Sequence, residues 1–192
     1  MKAIILLATL KKTGFSNTEV LSEFLAKQLE LKNVQVETIK LVNHTILPGT
    51  YDNMGSGDQW PEILSKIIAS DIIIFATPIW WGNMSSEMQR VIERLDNVHD
   101  EIMEGKKSRL ENKVGGVVIT GDSDGAQHII ADVANFYNAI GVIFPPYSTL
   151  SVMYDGQAKG AKTTREELLK KYEEDYTSTA EKMVSQLLKF LQ

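Results

Sequence analysis

Residues 71–95 read DIIIFATPIWWGNMSSEMQRVIERL, and this stretch decides the fold of the chain. It opens with a continuous apolar run at residues 72–76, rich in β-branched side chains, which predicts a strand buried on both faces of a helix-covered parallel sheet. Pro78 ends that strand because it has no N–H to donate and a fixed φ. From Ser86 onward the apolar residues recur with the period of an amphipathic helix. A buried strand therefore passes into a helix through residues 77–84, which contain two adjacent tryptophans.

The rest of the chain repeats this alternation of strand and helix. Five strands are predicted, at residues 3–9, 34–40, 72–76, 114–120 and 142–144, and an amphipathic helix follows each of them. Residues 44–59 are predicted to be an irregular loop, and residues 97–112 a charged connection with few apolar residues. Residues 148–153 either extend the fifth strand or run along the surface. The pattern predicts an α/β fold: a doubly wound, five-stranded parallel sheet with helices on both faces. Five strands fit the flavodoxin-like order 2-1-3-4-5 better than a six-stranded dinucleotide fold.

Composition narrows the classes of function. A length of 192 residues predicts one domain, residues 1–192, and a net charge of −5 with a pI near 5.3 argues against nucleic acid as a partner. The chain has no cysteine, which excludes disulfides, cysteine nucleophiles and cysteine-ligated iron–sulfur clusters and is compatible with the reducing cytoplasm. No stretch reaches the roughly 18 apolar residues that a transmembrane helix needs, so no membrane association is expected. The three histidines are scattered without ligand spacing, so no metal site is expected.

Three loops follow the first, third and fourth strands, which are neighbours in the order 2-1-3-4-5. The first, residues 9–18, combines hydroxyls and lysines at the start of a helix, where unpaired N–H groups and the helix dipole favour phosphate. A capping box of Ser16 with Glu19 needs no ligand, but it leaves the other polar side chains of the loop unexplained. The candidate phosphate-binding residues are Thr9, Lys11, Ser16, Asn17 and Thr18.

The loop after the third strand contains Trp80 and Trp81. These side chains belong either to the core or to a cleft. Because adjacent residues of a loop cannot both point inward, at least one is predicted to border a cleft. Aromatic faces suit a planar heterocycle, and Gly82 permits close approach of the backbone to a ligand.

The loop after the fourth strand, residues 121–125, contains two acids. Asp122 and Asp124 are either a pair of functional acids, or Asp124 is the N-cap of the next helix with Gln127 completing a capping box; the cap is favoured. His128, one turn into that helix, is either a residue of the site or a half-buried structural residue; the structural role is favoured.

The same loops resemble those of the flavodoxin-like NAD(P)H-dependent FMN reductases and quinone reductases. Residues 77–85, TPIWWGNMS, resemble that family's T-P-x-Y-W-G-x-x-S loop around the flavin ring. Residues 8–18 resemble its phosphate loop, and residues 120–126, TGDSDGA, resemble its T-G-G-S-G-G loop. The chain departs from the family pattern at Ala8 in place of glycine, at lysine in place of arginine, at Trp80 in place of tyrosine and at two carboxylates in place of glycines.

The resemblance implies an oxidoreductase in which NAD(P)H delivers hydride to FMN and the reduced flavin passes electrons to a quinone, nitro compound or similar small acceptor. Because the flavin carries the chemistry, no catalytic side chain is required. The resemblance assigns two groups of residues to the flavin ring. The first group is Pro78, Ile79, Trp80, Trp81, Gly82, Asn83 and Met84. The second group, at the far edge of the ring, is Thr120, Gly121 and Asp122. It also implies a homodimer, with residues 144–153 or the final helix as candidate contacts. Two alternatives stay open: a flavodoxin-type electron carrier without pyridine-nucleotide activity, and a binding module that has lost the flavin.

Overall fold

A computed structural model describes residues 1–191, which contain one five-stranded parallel sheet. The strands are β1 (Lys2–Leu7), β2 (Gln35–Lys40), β3 (Ile72–Pro78), β4 (Val114–Gly121) and β5 (Thr149–Met153). Every neighbouring pair is parallel, in the order β2-β1-β3-β4-β5. The predicted fold class and strand order are confirmed.

The described residues also form α-helices that connect the strands. They are α1 (Asn17–Glu30), α2 (Trp60–Ile68), α3 (Ser86–Arg94), α4 (Asp96–Met103), α5 (Ala126–Ala139) and α6 (Arg165–Lys189). Capping boxes at Ser16 and Thr164 begin α1 and α6, each with a glutamate three residues on. Across residues 1–191 none of the helices has the length and apolarity needed to cross a bilayer.

The sheet is buried on both faces, as the apolar runs predict. Alternate residues of β1 face opposite sides: Ile4 and Leu6 pack with α2, α3, α4 and α5, and Ile5 and Leu7 pack with α1 and α6. Each fully buried side chain of this size contributes about 1.5–3 kcal/mol relative to an exposed one. With both faces of the central strands β1, β3 and β4 covered, only the ends of these strands meet solvent.

The position of the fifth strand differs from the prediction. Residues 142–144 do not form a strand; Ile143 makes one isolated parallel bridge with Val114. Two consecutive prolines then remove two N–H donors, and Tyr147 takes a φ of 62°, which turns the chain. The strand resumes at Thr149–Met153 and pairs with β4, so residues 148–153 contain the fifth strand itself.

The connection predicted at residues 97–112 contains a helix that the sequence pattern did not predict, because α4 covers its first half. Apart from Val98, which is fully buried, α4 has few apolar residues to reveal a helical period. Arg109 lies in the loop that follows α4 and is joined to the helix by an ion pair with Glu101 (2.8 Å). A contact of this kind is invisible to a search for apolar periodicity.

The glycines of β4 make room for a buried tyrosine. A Cβ at Gly115 would lie 2.5 Å from the Tyr137 ring. The Tyr137 hydroxyl donates to the carbonyl oxygens of Ile73 (3.2 Å) and Gly116 (3.3 Å). Glycine in this strand therefore serves packing.

A buried ion pair fixes the irregular loop 44–59. The Arg94 guanidinium lies 2.8 Å from the Asp58 carboxylate, and both side chains are fully buried. Burial alone would raise the pKa of Asp58, but hydrogen bonds from the backbone N–H groups of Met54, Trp60 and Leu47 and from Arg94 lower it overall. Arg94 also donates to the carbonyl oxygen of Leu47 (2.7 Å), so the loop is tied to α3 at several points.

We expect Asp58→Ala to lower the free energy of unfolding by about 3–5 kcal/mol, because it leaves the Arg94 charge buried and unpaired. The matched control is Asp52→Ala, whose partner Arg109 is partly exposed, with an expected cost of at most about 1 kcal/mol. Because the pKa of Asp58 is lowered in the folded state, its contribution is complete above the ordinary aspartate pKa and is lost as the pH falls through the folded-state pKa. Urea unfolding of the wild-type protein and both variants, from pH 7 downward, measures the loss of unfolding free energy and its dependence on pH. An equal loss in the two variants would contradict the prediction.

Candidate functional site

Three loops meet at the carboxyl edge of the sheet, where β1, β3 and β4 end side by side. Ser85 joins the first two: its hydroxyl donates to the carbonyl oxygen of Ala8 (2.7 Å), and its N–H donates to the hydroxyl of Thr77 (3.0 Å). The N–H of Ile79 donates to the carbonyl oxygen of Thr120 and so joins the second loop to the third (2.9 Å). The predicted site residues are therefore brought to one edge.

The β1–α1 loop, residues 8–16, presents unpaired donors. The backbone N–H groups of residues 12–15 make no hydrogen bond to any residue within 1–191. Lys11 and Lys12 are exposed, and the Lys11 ammonium donates to the carbonyl oxygen of Phe15 (3.2 Å). Thr9 is buried, and its hydroxyl accepts from the N–H of Lys11 (3.2 Å). The loop thus offers N–H groups and positive charge at the start of α1, a chemistry that suits an anion.

The side chains of the first turn of α1 are already paired within the protein. The hydroxyls of Thr18 and Thr120 share a buried hydrogen bond of 2.6 Å. The Asn17 amide donates to the carbonyl oxygen of Gln157 (2.9 Å). Ser16 caps the helix with Glu19, as predicted. The backbone N–H groups that this turn leaves unpaired within residues 1–191 are those of Asn17 and Thr18, because the N–H of Glu19 donates to the Ser16 hydroxyl.

The β3–α3 loop, residues 79–84, is built on a tight turn. Trp80 and Asn83 exchange two backbone hydrogen bonds (2.8 and 2.9 Å), and the two residues between them have positive φ, 51° at Trp81 and 76° at Gly82. Positive φ at both central positions is the geometry of a type I′ turn. The Asn83 amide donates to the carbonyl oxygen of Trp81 (2.9 Å). Trp80 is 41% exposed and Trp81 96% exposed, so neither belongs to the core.

The flanks of that turn are fixed more firmly. Pro78 is the last residue of β3, opposite Thr120 in the sheet register. Ile79 packs on Gly121 so closely that a Cβ there would lie 2.8 Å from the Ile79 side chain. Met84 is partly buried against the core. The exposed part of the loop is therefore the tryptophan pair with Asn83.

The β4–α5 loop, residues 122–125, corrects one prediction. Gly125, not Asp124, is the N-cap of α5, and no side chain caps this helix. The reason is steric: Gly125 has a φ of 131°, and a Cβ there would lie 2.7 Å from the Cα of Gly82. Asp122 and Asp124 are exposed beside this contact. His128 is also more exposed than predicted and lies 3.3 Å from the Asp132 carboxylate on the same helix.

One residue of this edge was missed by the sequence patterns. Gln157 lies in a single 3₁₀ turn after β5 (Asp155–Gln157) and is 7% exposed. Its amide nitrogen donates to the carbonyl oxygens of Gly121 and Val152 (both 2.8 Å), and its amide oxygen accepts from the Tyr172 hydroxyl (2.5 Å). A lone glutamine in a polar stretch carries no motif that would reveal these contacts.

The strand order and the loops at this edge define the class: a flavodoxin-like protein with a candidate site at the carboxyl ends of β1, β3 and β4. The family model for NADPH-dependent FMN reductases matches residues 1–157, and the chain belongs to this family. The expected cofactor, FMN with NAD(P)H as electron donor, and the expected enzyme class, a flavin-dependent oxidoreductase, agree with the description of this family, which names NADPH.

Two curated relatives share 32% identity with the chain. One is 8-demethyl-8-aminoriboflavin-5′-phosphate synthase of Streptomyces davaonensis, aligned over 157 residues (76% of this chain, 61% of the relative). The other is the divalent metal cation transporter MntH of Mycobacterium bovis, aligned over 151 residues (76% of this chain, 22% of the relative). The chain thus spans less than two thirds of either relative.

Among solved structures, the chain is similar to RosB with bound 8-demethyl-8-formylriboflavin-5′-phosphate, with a TM-score of 0.81 and 24% identity. The alignment covers 100% of this chain and 79% of that one. At this level of identity the similarity shows a shared fold.

Proposed function

We propose that the protein is an FMN-dependent NADPH oxidoreductase that passes electrons to a small organic acceptor, such as a quinone or a nitro compound. The observation that carries the proposal is the meeting of two features at one sheet edge: a lysine-bearing loop with unpaired N–H groups, and an exposed pair of tryptophans. FMN, when bound, takes a hydride from NADPH and supplies the electrons to the acceptor.

The residues of the first loop suit the 5′-phosphate. A phosphate needs several N–H donors and positive charge, and residues 11–18 offer both. Because the side chains of Asn17 and Thr18 are paired elsewhere, we assign their backbone N–H groups, not their side chains, to the phosphate. Lys11 supplies charge, and Thr9 and Ser16 hold the loop and the helix start in shape.

The second and third loops suit the flavin ring. We assign one side of the ring to Pro78, Ile79, Trp80, Trp81, Gly82, Asn83 and Met84, and the far edge to Thr120, Gly121 and Asp122. The exposed indoles offer flat apolar surface to a flat heterocycle. Because the Thr120 hydroxyl is hydrogen-bonded to the Thr18 hydroxyl, we propose that this side chain supports the loop that follows β4.

The chain itself supplies binding and orientation. It has no cysteine to hold an iron–sulfur cluster, so we propose that electrons enter and leave through the flavin alone. The acceptor then has to reach the flavin directly, which favours a small molecule.

One curated relative supports a second candidate function. This relative is named as a synthase of an aminoriboflavin phosphate and is 32% identical over 157 residues. In that case the flavin phosphate would be the substrate, and its mass would change during turnover.

We also propose that the protein acts as a homodimer in the cytoplasm. Of the two candidate contacts, the apolar side of α6 packs against α1 and the sheet within one subunit, while Tyr147 and Met153 stay exposed beside β5. The segment 144–153 is therefore the better candidate for the contact. Light scattering of the FMN-loaded protein should give twice the chain mass of 21.5 kDa, and a monomeric mass at all concentrations would contradict the proposal.

The proposed function predicts that protein incubated with excess FMN and freed of unbound flavin retains FMN, identified by mass spectrometry after denaturation. Under anaerobic conditions NADPH should bleach the bound flavin, and a quinone should restore its absorbance over repeated cycles. Retention of FMN without any response to NADPH or NADH would favour the electron carrier. Recovery of a flavin of altered mass would favour the second candidate, and failure to retain flavin would overturn the proposal.

We expect Trp81→Asn to weaken FMN binding about fivefold, the equivalent of one aromatic contact of about 1 kcal/mol. Asparagine suits the left-handed position of a type I′ turn, so the melting temperature of the apoprotein should not fall. Trp80→Ala, measured beside it by fluorescence titration, tests the other indole. Wild-type affinity in both variants would contradict the assignment of the ring to this loop.

A further inference from the structure

We infer that Gln157 is a positioning residue that fixes the spacing between the phosphate loop and the ring loop, and so sets a preference for 5′-phosphorylated over unphosphorylated flavin. This inference rests on the proposed function, since it concerns how the chain would hold FMN. The phosphate loop here means residues 8–18, and the ring loop means residues 120–125.

The contacts of Gln157 reach both loops. Its amide nitrogen donates to the carbonyl oxygen of Gly121 in the ring loop (2.8 Å), and its backbone carbonyl oxygen accepts from the Asn17 amide in the phosphate loop (2.9 Å). These partners are 36 and 140 residues away in the chain. A single buried residue therefore joins the two loops.

The orientation of this amide is determined by its surroundings. Two carbonyl oxygens, of Gly121 and Val152, face the nitrogen, and a carbonyl can only accept. The Tyr172 hydroxyl donates to the amide oxygen (2.5 Å), and burial raises the pKa of Tyr172, which keeps the hydroxyl protonated. With every polar group of the side chain paired, Gln157 is held in one conformation.

The bond to Gly121 also orients a backbone donor. In a trans peptide the C=O and the following N–H point in opposite directions. The Gly121 carbonyl oxygen accepts from Gln157 and from the N–H of Tyr154 (3.0 Å), which turns the N–H of Asp122 away from Gln157. The bond from Tyr154 keeps this direction when Gln157 is substituted, so the contribution of Gln157 itself is to the place of the ring loop.

Spacing matters because FMN joins its phosphate and its ring covalently. Two linked groups gain the full benefit of two subsites only when the distance between the subsites matches the linker. Riboflavin has the ring and no phosphate, so its affinity does not depend on that distance. A change that loosens the link should therefore weaken FMN binding and leave riboflavin binding nearly unchanged.

The test compares the Kd values of FMN and riboflavin for the wild-type protein, Gln157→Met and Gln157→Glu. Methionine has a similar length without hydrogen-bonding groups, and ionised glutamate keeps the shape but places acceptors against two carbonyl oxygens. The Thr18–Thr120 hydrogen bond still links the loops, so we expect a partial effect: the ratio of the riboflavin Kd to the FMN Kd falls about tenfold in both variants, in line with the loss of one or two hydrogen bonds.

Two controls separate positioning from a general loss of stability. Tyr137→Phe removes a buried hydroxyl far from the edge and should lower the melting temperature without changing the ratio. Lys11→Met removes a charge assigned to the phosphate and should lower the ratio without affecting Gln157.

Each outcome decides the matter. An unchanged ratio in both folded Gln157 variants, with FMN bound by the wild-type protein, overturns this inference and leaves the proposed function standing. Loss of the folded structure in both variants, seen by circular dichroism, makes Gln157 a residue of the core and also overturns the inference. A wild-type protein that binds no FMN overturns the proposed function and this inference together.

Discussion

The structure depends on one constraint: the central strands of a parallel sheet covered on both faces have no contact with solvent except at their ends. Every residue from Ala3 to Ala8 and from Ile72 to Thr77 is buried. Backbone N–H and C=O groups inside the sheet are hydrogen-bonded to the neighbouring strands. Unpaired N–H groups therefore occur where a strand has ended and the next helix has not yet formed its first hydrogen bond. A ligand that needs polar contacts is thereby directed to the carboxyl edge.

The loops at this edge become one site through hydrogen bonds between distant parts of the chain. Ser85 reaches Ala8 across 77 residues, and Thr18 reaches Thr120 across 102. A buried hydroxyl left without a partner costs about 1–3 kcal/mol, so these pairings are strongly enforced. The same polar side chains that suggest ligand binding in the sequence thus hold the loops together, while the backbone N–H groups of residues 12–15 make no hydrogen bond within the described chain.

Glycine and tryptophan share the exposed turn for different reasons. The backbones of Gly82 and Gly125 lie so close together that a Cβ at position 125 would be 2.7 Å from the Cα of Gly82. Trp81 adopts left-handed backbone geometry, which costs about 1–2 kcal/mol for a residue other than glycine, and it is almost fully exposed. Because the indole is almost fully exposed, its packing within the described chain does not offset this cost. The geometry agrees with an indole that binds a ligand.

Apolar periodicity and capping patterns by themselves determined the five-stranded parallel architecture and the start of α1 at Ser16, because these properties depend on residues close together in the chain. The resemblance of residues 77–85 to a flavin-binding loop can likewise be recognised from the sequence alone, because the residues of the motif are contiguous. The tertiary structure alone decided where β5 lies, that Gly125 rather than Asp124 begins α5, and that Gln157 lies beneath the site. Each of these depends on a partner far away in sequence, such as Val117 opposite Thr149 or Gly82 against Gly125. Local propensity contains no information about which distant group will occupy the space.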